Sequence, residues 1–222
     1  MANPKSFQFD LPSSGRPKNI NLAEEWYPNI QPYAIRASST RSYDPLLGIR
    51  AVVIHATAGL SSLGAVSVIQ KGSASFHWLV PDENEDQHGK FVWATCHEAR
   101  AAWHVRKWGS HPDVWDGKKM VNHYSLGIEI VNSQNKADRF SNWQIEATAR
   151  IVRYCWAKYP NLVHVVSHAK LDPTRRTDPG IGFPWDKFEK LVLYGTDDAV
   201  SALVASAPKP NLAAADGDEC CM

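Results

Sequence analysis

The clearest feature of the chain is a set of short apolar runs that predict buried strands. The three most distinct runs are residues 49–55, 125–131 and 163–166. Two further runs, at 75–80 and 90–94, predict the strands of a hairpin that is joined by a polar turn over 81–89.

Helical spacing of apolar residues predicts three helices. The first is short and covers residues 62–71. The longest begins at Ser141, which forms a capping box with Gln144, and runs to about Tyr159. A last short helix begins at Pro184, which is tolerated in a first turn because the missing N–H needs no partner there. Because strands and helices alternate, we predict an α/β (α+β) class, with a single domain built on one central sheet.

The two ends of the chain and one long internal segment lack this patterning. Residues 1–44 are rich in Pro, Ser, Asn and Arg and predict an N-terminal arm packed on the folded domain, which covers 45–195. Residues 196–222 are rich in Ala, Asp and Pro and predict a loose C-terminal tail. Residues 101–123 predict a long surface loop, whose three tryptophans either stack on a ligand or pack the loop onto the domain.

Composition and charge exclude several classes of protein. With 222 residues, of which 44% are hydrophobic, the chain can bury one good core. A net charge of +1 gives no support to a nucleic-acid-binding or membrane-surface protein. Residues 1–27 lack the apolar run of a signal peptide, and the four cysteines are too scattered for a disulfide framework. We therefore expect a protein that is made in the cytoplasm.

Two histidines and an aspartate stand where predicted strands end. His55 closes the first strand, and His168 follows the last one, ten residues before Asp178. Each residue alone is more often a hydrogen-bonded core or turn residue. Together they match a catalytic zinc site, which uses about three protein ligands and leaves a fourth position open for water. The sequence therefore predicts one zinc ion held by His55, His168 and Asp178.

Two charged residues near these ligands have competing interpretations. Glu129 lies in the apolar run 125–131, where a carboxylate is costly unless it is paired or functional. It is either the ion-pair partner of an arginine or, beside a metal, a general base with a raised pKa, and the predicted zinc site favours the base. Arg176 is either a surface arginine or a donor to the oxyanion that forms during hydrolysis.

Five short blocks follow one another along the chain, at residues 53–55, 75–77, 102–104, 122–129 and 167–180. In residue type and order they resemble zinc-dependent N-acetylmuramoyl-L-alanine amidases of the amidase-2 type, which are related to peptidoglycan recognition proteins. The resemblance covers about 50–192. It implies a central mixed sheet flanked by helices, and hydrolysis of the amide between the N-acetylmuramoyl lactyl group and L-alanine of the stem peptide.

The resemblance also implies roles for individual residues. Zinc on the three predicted ligands would activate a water, with Glu129 as general base and with Arg176 standing where a lysine is usual. Phage lysozyme-type relatives have a tyrosine near the hairpin start, where this chain has Phe76, which cannot act on that water. The expected substrate-binding residues are His77, Trp103, His104 and Asn122.

The implied partners are peptidoglycan or soluble muropeptides, with no nucleic acid and no membrane. A holin or an export machinery would be needed for action in the periplasm or cell wall rather than in the cytoplasm. The alternative function is a module that recognises peptidoglycan or muropeptide without cutting it. Such modules typically lack a ligand residue, whereas this chain keeps all three, and we therefore favour the enzyme.

Overall fold

The computed structural model describes residues 3–18, 20, 33–85, 91–135 and 137–206. These residues form eight β-strands: β1 Gln8–Asp10, β2 Ser38–Thr40, β3 Ala51–Ala56, β4 Trp78–Val80, β5 Trp93–Ala94, β6 Arg100–Ala102, β7 Ser125–Ile130 and β8 His164–Ser167. The same residues form four α-helices: α1 Ser62–Gln70, α2 Asn142–Lys158, α3 His168–Leu171 and α4 Trp185–Ser206.

Six strands form a mixed central sheet of order β1-β8-β3-β7-β4-β5, and β2 pairs with β6 in a second, two-stranded sheet. Strands β8, β3, β7 and β4 are parallel neighbours, whereas β1 and β5 are antiparallel edge strands. The carboxyl ends of β3, β7 and β8 therefore meet at one edge of the sheet, which is where open α/β sheets bind ligands. The predicted α/β class with one central sheet is confirmed.

Both faces of the central sheet are covered. Helices α2 and α4 pack on one face, against Val52, Ile54 and other inward side chains. The opposite face is covered by α1 and by the chain between β6 and β7, which packs on Val53. Because β3 is buried on both faces, it is apolar along its length up to His55, as the sequence pattern predicted.

Helix α2 begins with the predicted capping box. The Gln144 N–H donates to Ser141 Oγ at 3.1 Å, and the Ser141 N–H donates to Gln144 Oε1 at 3.1 Å. The two bonds satisfy N–H groups that have no partner inside the helix, so the helix start is determined locally.

Three segments differ from the sequence prediction. The arm contributes β1 and β2 to the two sheets, although it shows no periodicity. The segment 101–123 buries Val105, Val114 and Val121 and is therefore more than a surface loop. Helix α4 continues past residue 193 to Ser206, with a kink at Gly195, where φ is 77°.

Some predictions fall on residues that the structure does not describe. Residues 21–32 of the arm, 86–90 of the hairpin turn and 207–222 of the tail lie outside the described ranges. The domain boundaries at 44/45 and 195/196 stay predictions. Among the described residues, no helix combines the length and the apolar character needed to cross a membrane.

Candidate metal centre

The parallel strands bring the three predicted ligands to one edge of the sheet. His55 lies near the end of β3 and is paired in register with Glu129 of β7. His168 directly follows β8, as the first residue of α3. Asp178 returns to the same place because its carbonyl accepts a hydrogen bond from the Ala169 N–H, at 2.9 Å.

One atom from each of these three residues points to a common centre. His55 Nδ1 lies 3.0 Å from His168 Nδ1 and 3.2 Å from Asp178 Oδ2, and His168 Nδ1 lies 3.0 Å from Asp178 Oδ2. All three side chains are buried. Ligand atoms around a tetrahedral zinc ion are about 3.3 Å apart, since the zinc–ligand distance is about 2.0 Å. The donor set and its spacing therefore fit one such ion.

The ring of His55 is held on its other side by a chain of hydrogen bonds. Ser125 Oγ donates to the Val121 carbonyl at 2.7 Å. Because the hydroxyl has only one proton, it accepts the hydrogen bond from His104 Nε2, which lies 3.2 Å away. A neutral His104 then accepts at Nδ1 from His55 Nε2, at 3.0 Å. Because the proton of His55 is then on Nε2, Nδ1 carries none, and its lone pair faces His168 and Asp178.

The pKa shifts favour the metal-binding forms of these side chains. Burial, and secondarily the electrostatic interaction with His168, lower the pKa of His55 to about 4. Burial alone would raise the pKa of Asp178, but its close contacts with the rings of His168 and His55 outweigh burial and lower it. At neutral pH the site thus presents a neutral imidazole and a carboxylate, the forms that bind metals.

Glu129 and Arg176 line the same cleft as the ligands, which has a volume of about 430 Å³. Burial, and secondarily the charge of Asp178, raise the pKa of Glu129 well above its usual value, while Arg176 acts in the opposite direction. Arg176 is exposed at the mouth of the cleft. The arrangement places a basic carboxylate and a cationic donor beside the ligand cluster.

The cleft continues into a second cavity of about 430 Å³, and the two share Ala74, His104, Arg175 and Arg176 among their lining residues. The second cavity has apolar walls at Trp103 and Met120. Its lining includes four cationic side chains, Arg106, Lys107, Arg175 and Arg176. Two of them contact the buried carboxylate of Asp172, Arg106 at 2.8 Å and Arg175 at 3.7 Å. This cavity suits a ligand that carries negative charge.

The four expected substrate-binding residues are placed differently from one another. Trp103 is 42% exposed and lines the second cavity. Asn122 also lines it, but its amide is bonded to the backbone of Val105, with Oδ1 accepting from N–H and Nδ2 donating to the carbonyl, both at 2.8 Å. His104 lines both cavities, with both ring nitrogens engaged in the chain to Ser125.

The expectation for His77 is wrong. Its side chain is fully buried between the sheet and the loop that follows β5, and it has no surface for a ligand to contact. Nδ1 accepts a hydrogen bond from the Gly127 N–H at 2.9 Å, and Nε2 lies 3.1 Å from the Arg100 carbonyl. Burial and the nearby Arg41 guanidinium lower the pKa of His77 to about 3. His77 therefore links strands as a neutral side chain.

One tryptophan of 101–123 packs onto the domain, and the other two remain largely exposed. Trp115 packs onto the domain, edge-on to Tyr124 with ring centroids 4.7 Å apart. Trp103 and Trp108 remain largely exposed, and Trp108 lies under Lys107 and Lys119.

Sequence reasoning missed the supporting role of Ser125 and His104. One signal was available in Gly127, an interior strand glycine, since such glycines mark a close approach by another group. A Cβ at Gly127 would lie 2.7 Å from His104 Cγ, so the imidazole ring packs directly on the strand backbone. Arg175, which directly precedes Arg176 in the sequence and lines both cavities, was also not singled out.

Comparisons with known proteins give a family match and several relatives. The model of the family described as N-acetylmuramoyl-L-alanine amidase matches residues 45–181. N-acetylmuramoyl-L-alanine amidase AmiD of Escherichia coli is 31% identical over 160 residues, which are 68% of this chain and 56% of AmiD. The chain spans about half the length of the curated relatives it matches.

Solved structures of two relatives are among those similar to this chain. AMPDH3 from Pseudomonas aeruginosa has a TM-score of 0.58 at 26% identity, covering 68% of this chain and 62% of AMPDH3. The complex of E. coli AmiD with anhydro-N-acetylmuramic acid-L-Ala-D-gamma-Glu-L-Lys has a TM-score of 0.54 at 28% identity, covering 65% of this chain and 58% of AmiD.

Proposed function

Because the chain belongs to the N-acetylmuramoyl-L-alanine amidase family, we propose that it hydrolyses the amide between the lactyl group of N-acetylmuramic acid and L-alanine of the stem peptide. The family match confirms the resemblance carried by the five sequence blocks, and the two solved structures confirm the fold expected from it. The observation that carries the proposal is the convergence of three buried metal-type ligands beside Glu129 in an open cleft.

His55, His168 and Asp178 would hold one zinc ion. Bound there, zinc would supply Lewis-acid chemistry to the scissile carbonyl and to water. Ser125 and His104 hold His55 in the tautomer whose Nδ1 is free, so they are positioning residues in this proposal.

Glu129 would act as the general base. Its raised pKa makes it a stronger base than an exposed carboxylate, and it lines the cleft with the three ligands. It takes a proton from the attacking water and returns that proton to the nitrogen of the leaving alanine. Phe76 lines the same cleft and has no group that exchanges protons, which supports the assignment to Glu129.

Arg176 would stabilise the negative charge that develops on the carbonyl oxygen. A fixed cationic donor at this point gives large effects on rate. Replacing it with lysine keeps the charge, whereas Arg176→Ala removes it, so kcat should fall more in the alanine variant than in the lysine variant. Equal kcat in both variants would contradict the role.

The cationic cavity beside Arg176 would take the stem peptide. The ligand in the AmiD complex contains a D-gamma-Glu residue, whose α-carboxylate is free in this linkage. Such a carboxylate fits a cavity whose lining includes Lys107 and Arg176, and the rim at Trp103 offers an apolar surface to the peptide.

The test is mass spectrometry of the products from intact sacculi and from soluble muropeptides, with and without a zinc chelator. If free stem peptides are released, and if the chelator stops their release, the result supports the amidase. Binding without cleavage of either substrate would instead support the recognition module. Preference for sacculi would fit delivery to the wall by a holin or an export machinery, and preference for soluble muropeptides would fit recycling in the cytoplasm.

A further inference from the structure

Residues 3–11 extend the central sheet beside the strand that leads to a metal ligand. Strand β1 pairs antiparallel with β8, with Gln8 opposite Val166 and Asp10 opposite His164. On its other side β8 pairs with β3. The N-terminal segment therefore turns β8 from an edge strand into an interior strand, immediately before His168.

The contact between this segment and β8 reaches the residue that precedes His168. The Ser167 N–H donates to the Phe7 carbonyl at 3.0 Å, and Ser167 Oγ donates to the Pro4 carbonyl at 2.6 Å. The same hydroxyl accepts from the Lys170 N–H at 3.1 Å and so caps α3. One buried hydroxyl thus joins the N-terminal segment to the short helix that begins with His168.

The segment is itself anchored in the core. Phe7 and Phe9 are buried, and Phe7 stacks on Trp185 with ring centroids 4.9 Å apart. Phe9 packs edge-on against Phe188, with centroids 5.8 Å apart. The carbonyls that receive the Ser167 bonds are therefore held in place by the packing of α4.

The ring of His168 contacts His55 and Asp178 through Nδ1 and differs from the ring of His55 on its other side. Its Nε2 is buried and has no hydrogen-bond partner among the residues that the structure describes. Metal-binding histidines usually have their second nitrogen bonded, which sets the direction of the ring. For His168, the hydrogen bonds at Ser167 fix the backbone from which the ring projects.

We propose that residues 3–11 are a positioning element of the metal centre, acting on His168 through Ser167. The inference rests on the proposed function only in that zinc is the ion to be bound. It extends the functional unit to residues that precede the family match at 45–181.

The first test compares Ser167→Ala with Thr148→Ala in the full chain. Both remove a fully buried hydroxyl that donates to a backbone carbonyl, but Thr148 bonds Gln144 inside α2. Zinc affinity is measured by competition with a chromophoric chelator, and the stability of the metal-free protein by urea unfolding. Ser167→Ala should weaken zinc binding about tenfold or more, the effect typical of lost outer support, whereas Thr148→Ala should lower stability alone.

The second test acts on the N-terminal segment itself. Phe7→Ala should weaken zinc binding and change the visible absorption of the cobalt(II)-loaded protein, because the ligand geometry changes. Val152→Ala, a core truncation in α2, should leave both unchanged. If Phe7→Ala does not fold by circular dichroism, Ser167→Ala decides alone.

Unchanged zinc affinity and cobalt spectrum in folded Ser167→Ala or Phe7→Ala would overturn the positioning role and leave the amidase proposal intact. Failure of the wild-type protein to bind zinc would overturn both. Loss of zinc affinity in the two control variants as well would show a general effect of stability and would also overturn the inference.

Discussion

The two histidines of the metal centre stand at the ends of neighbouring strands and are supported in opposite ways. His55 has its second nitrogen 3.0 Å from His104, which continues to Ser125. His168 has its second nitrogen buried and unbonded within the described part of the chain, and it depends on the backbone at Ser167.

This difference shows that one metal site can be oriented by two kinds of structure. At the end of β3 a chain of side chains selects the tautomer, so single substitutions should act on metal affinity directly. At the end of β8 the strand, the helix cap and the N-terminal segment act together. The support of His168 is therefore distributed over more of the backbone. The metal centre thus has two halves, one around His55 at the end of β3 and one around His168 at the end of β8. Asp178 contacts both rings and belongs to both halves.

Asp178→Ala should have the largest effect, because it disrupts both halves at once. We expect loss of zinc and a decrease in kcat/KM of about a thousandfold or more, since Lewis-acid stabilisation contributes about 4 kcal/mol to such reactions. Zinc content by atomic absorption and kcat/KM on a muropeptide measure the two losses. Asp186→Ala, at an exposed position of α4, is the control and should behave as wild type. Retained zinc in Asp178→Ala would exclude Asp178 as a ligand.

Glu129→Gln should have the next largest effect and should leave both histidines in place. The amide keeps the shape of the side chain but accepts no proton at neutral pH, so we expect kcat to fall about a hundred- to a thousandfold. Zinc affinity should stay near the wild-type value, which separates this variant from Asp178→Ala. Full turnover by Glu129→Gln would contradict the base assignment.

The elements that deliver the ligands could be predicted from local pattern, while β1 could not. Strands β3, β7 and β8 lie in largely apolar runs, and α2 has its capping box in the sequence. Strand β1 has three residues, which are too few to show periodicity. Its partner β8 is distant in the sequence, since Gln8 pairs with Val166. Pairing over such a separation depends on the whole fold.

The ligand cluster could be predicted because residues at the ends of parallel strands meet at one edge. The roles of the other histidines could not, since sequence position does not say which way a side chain points. His77 turns into the protein and bonds Gly127, whereas His104 turns towards His55. Both residues were expected to bind substrate, and only the packing of the loop on β7 separates them.

His104→Ala tests the half that depends on side chains. It removes the acceptor for His55 Nε2, and zinc binding should weaken about ten- to a hundredfold, as for other outer-sphere partners of metal-binding histidines. His104→Gln can accept from His55 and donate to Ser125, so it should recover part of the affinity. Chelator competition measures both variants.

Trp103→Phe is the control for His104, because it changes the neighbouring residue and keeps an aromatic ring on the cavity wall. It should leave zinc affinity unchanged. Wild-type zinc affinity in His104→Ala would mean that Ser125 and His104 do not set the tautomer of His55, and that both halves rely on the backbone.

His77 provides the smallest effect and a reference outside both halves. Its pKa is lowered to about 3 in the folded protein, by burial first, and an unfolded histidine has a pKa of about 6.5. Between these values the unfolded chain binds a proton that the folded protein excludes, so stability falls as pH falls below 6.5. The loss from His77 should be about 2 kcal/mol between pH 7 and pH 5.

Urea unfolding of the metal-free protein at pH 5, 6 and 7 measures this loss. The glutamine of His77→Gln cannot titrate in this range. Between pH 7 and pH 5 the free energy of unfolding of this variant should therefore fall by about 2 kcal/mol less than that of the wild type. His97→Gln, at an exposed position, should keep the wild-type dependence. The same dependence in His77→Gln and wild type would mean that His77 becomes protonated without unfolding, and that a buried histidine here need not stay neutral.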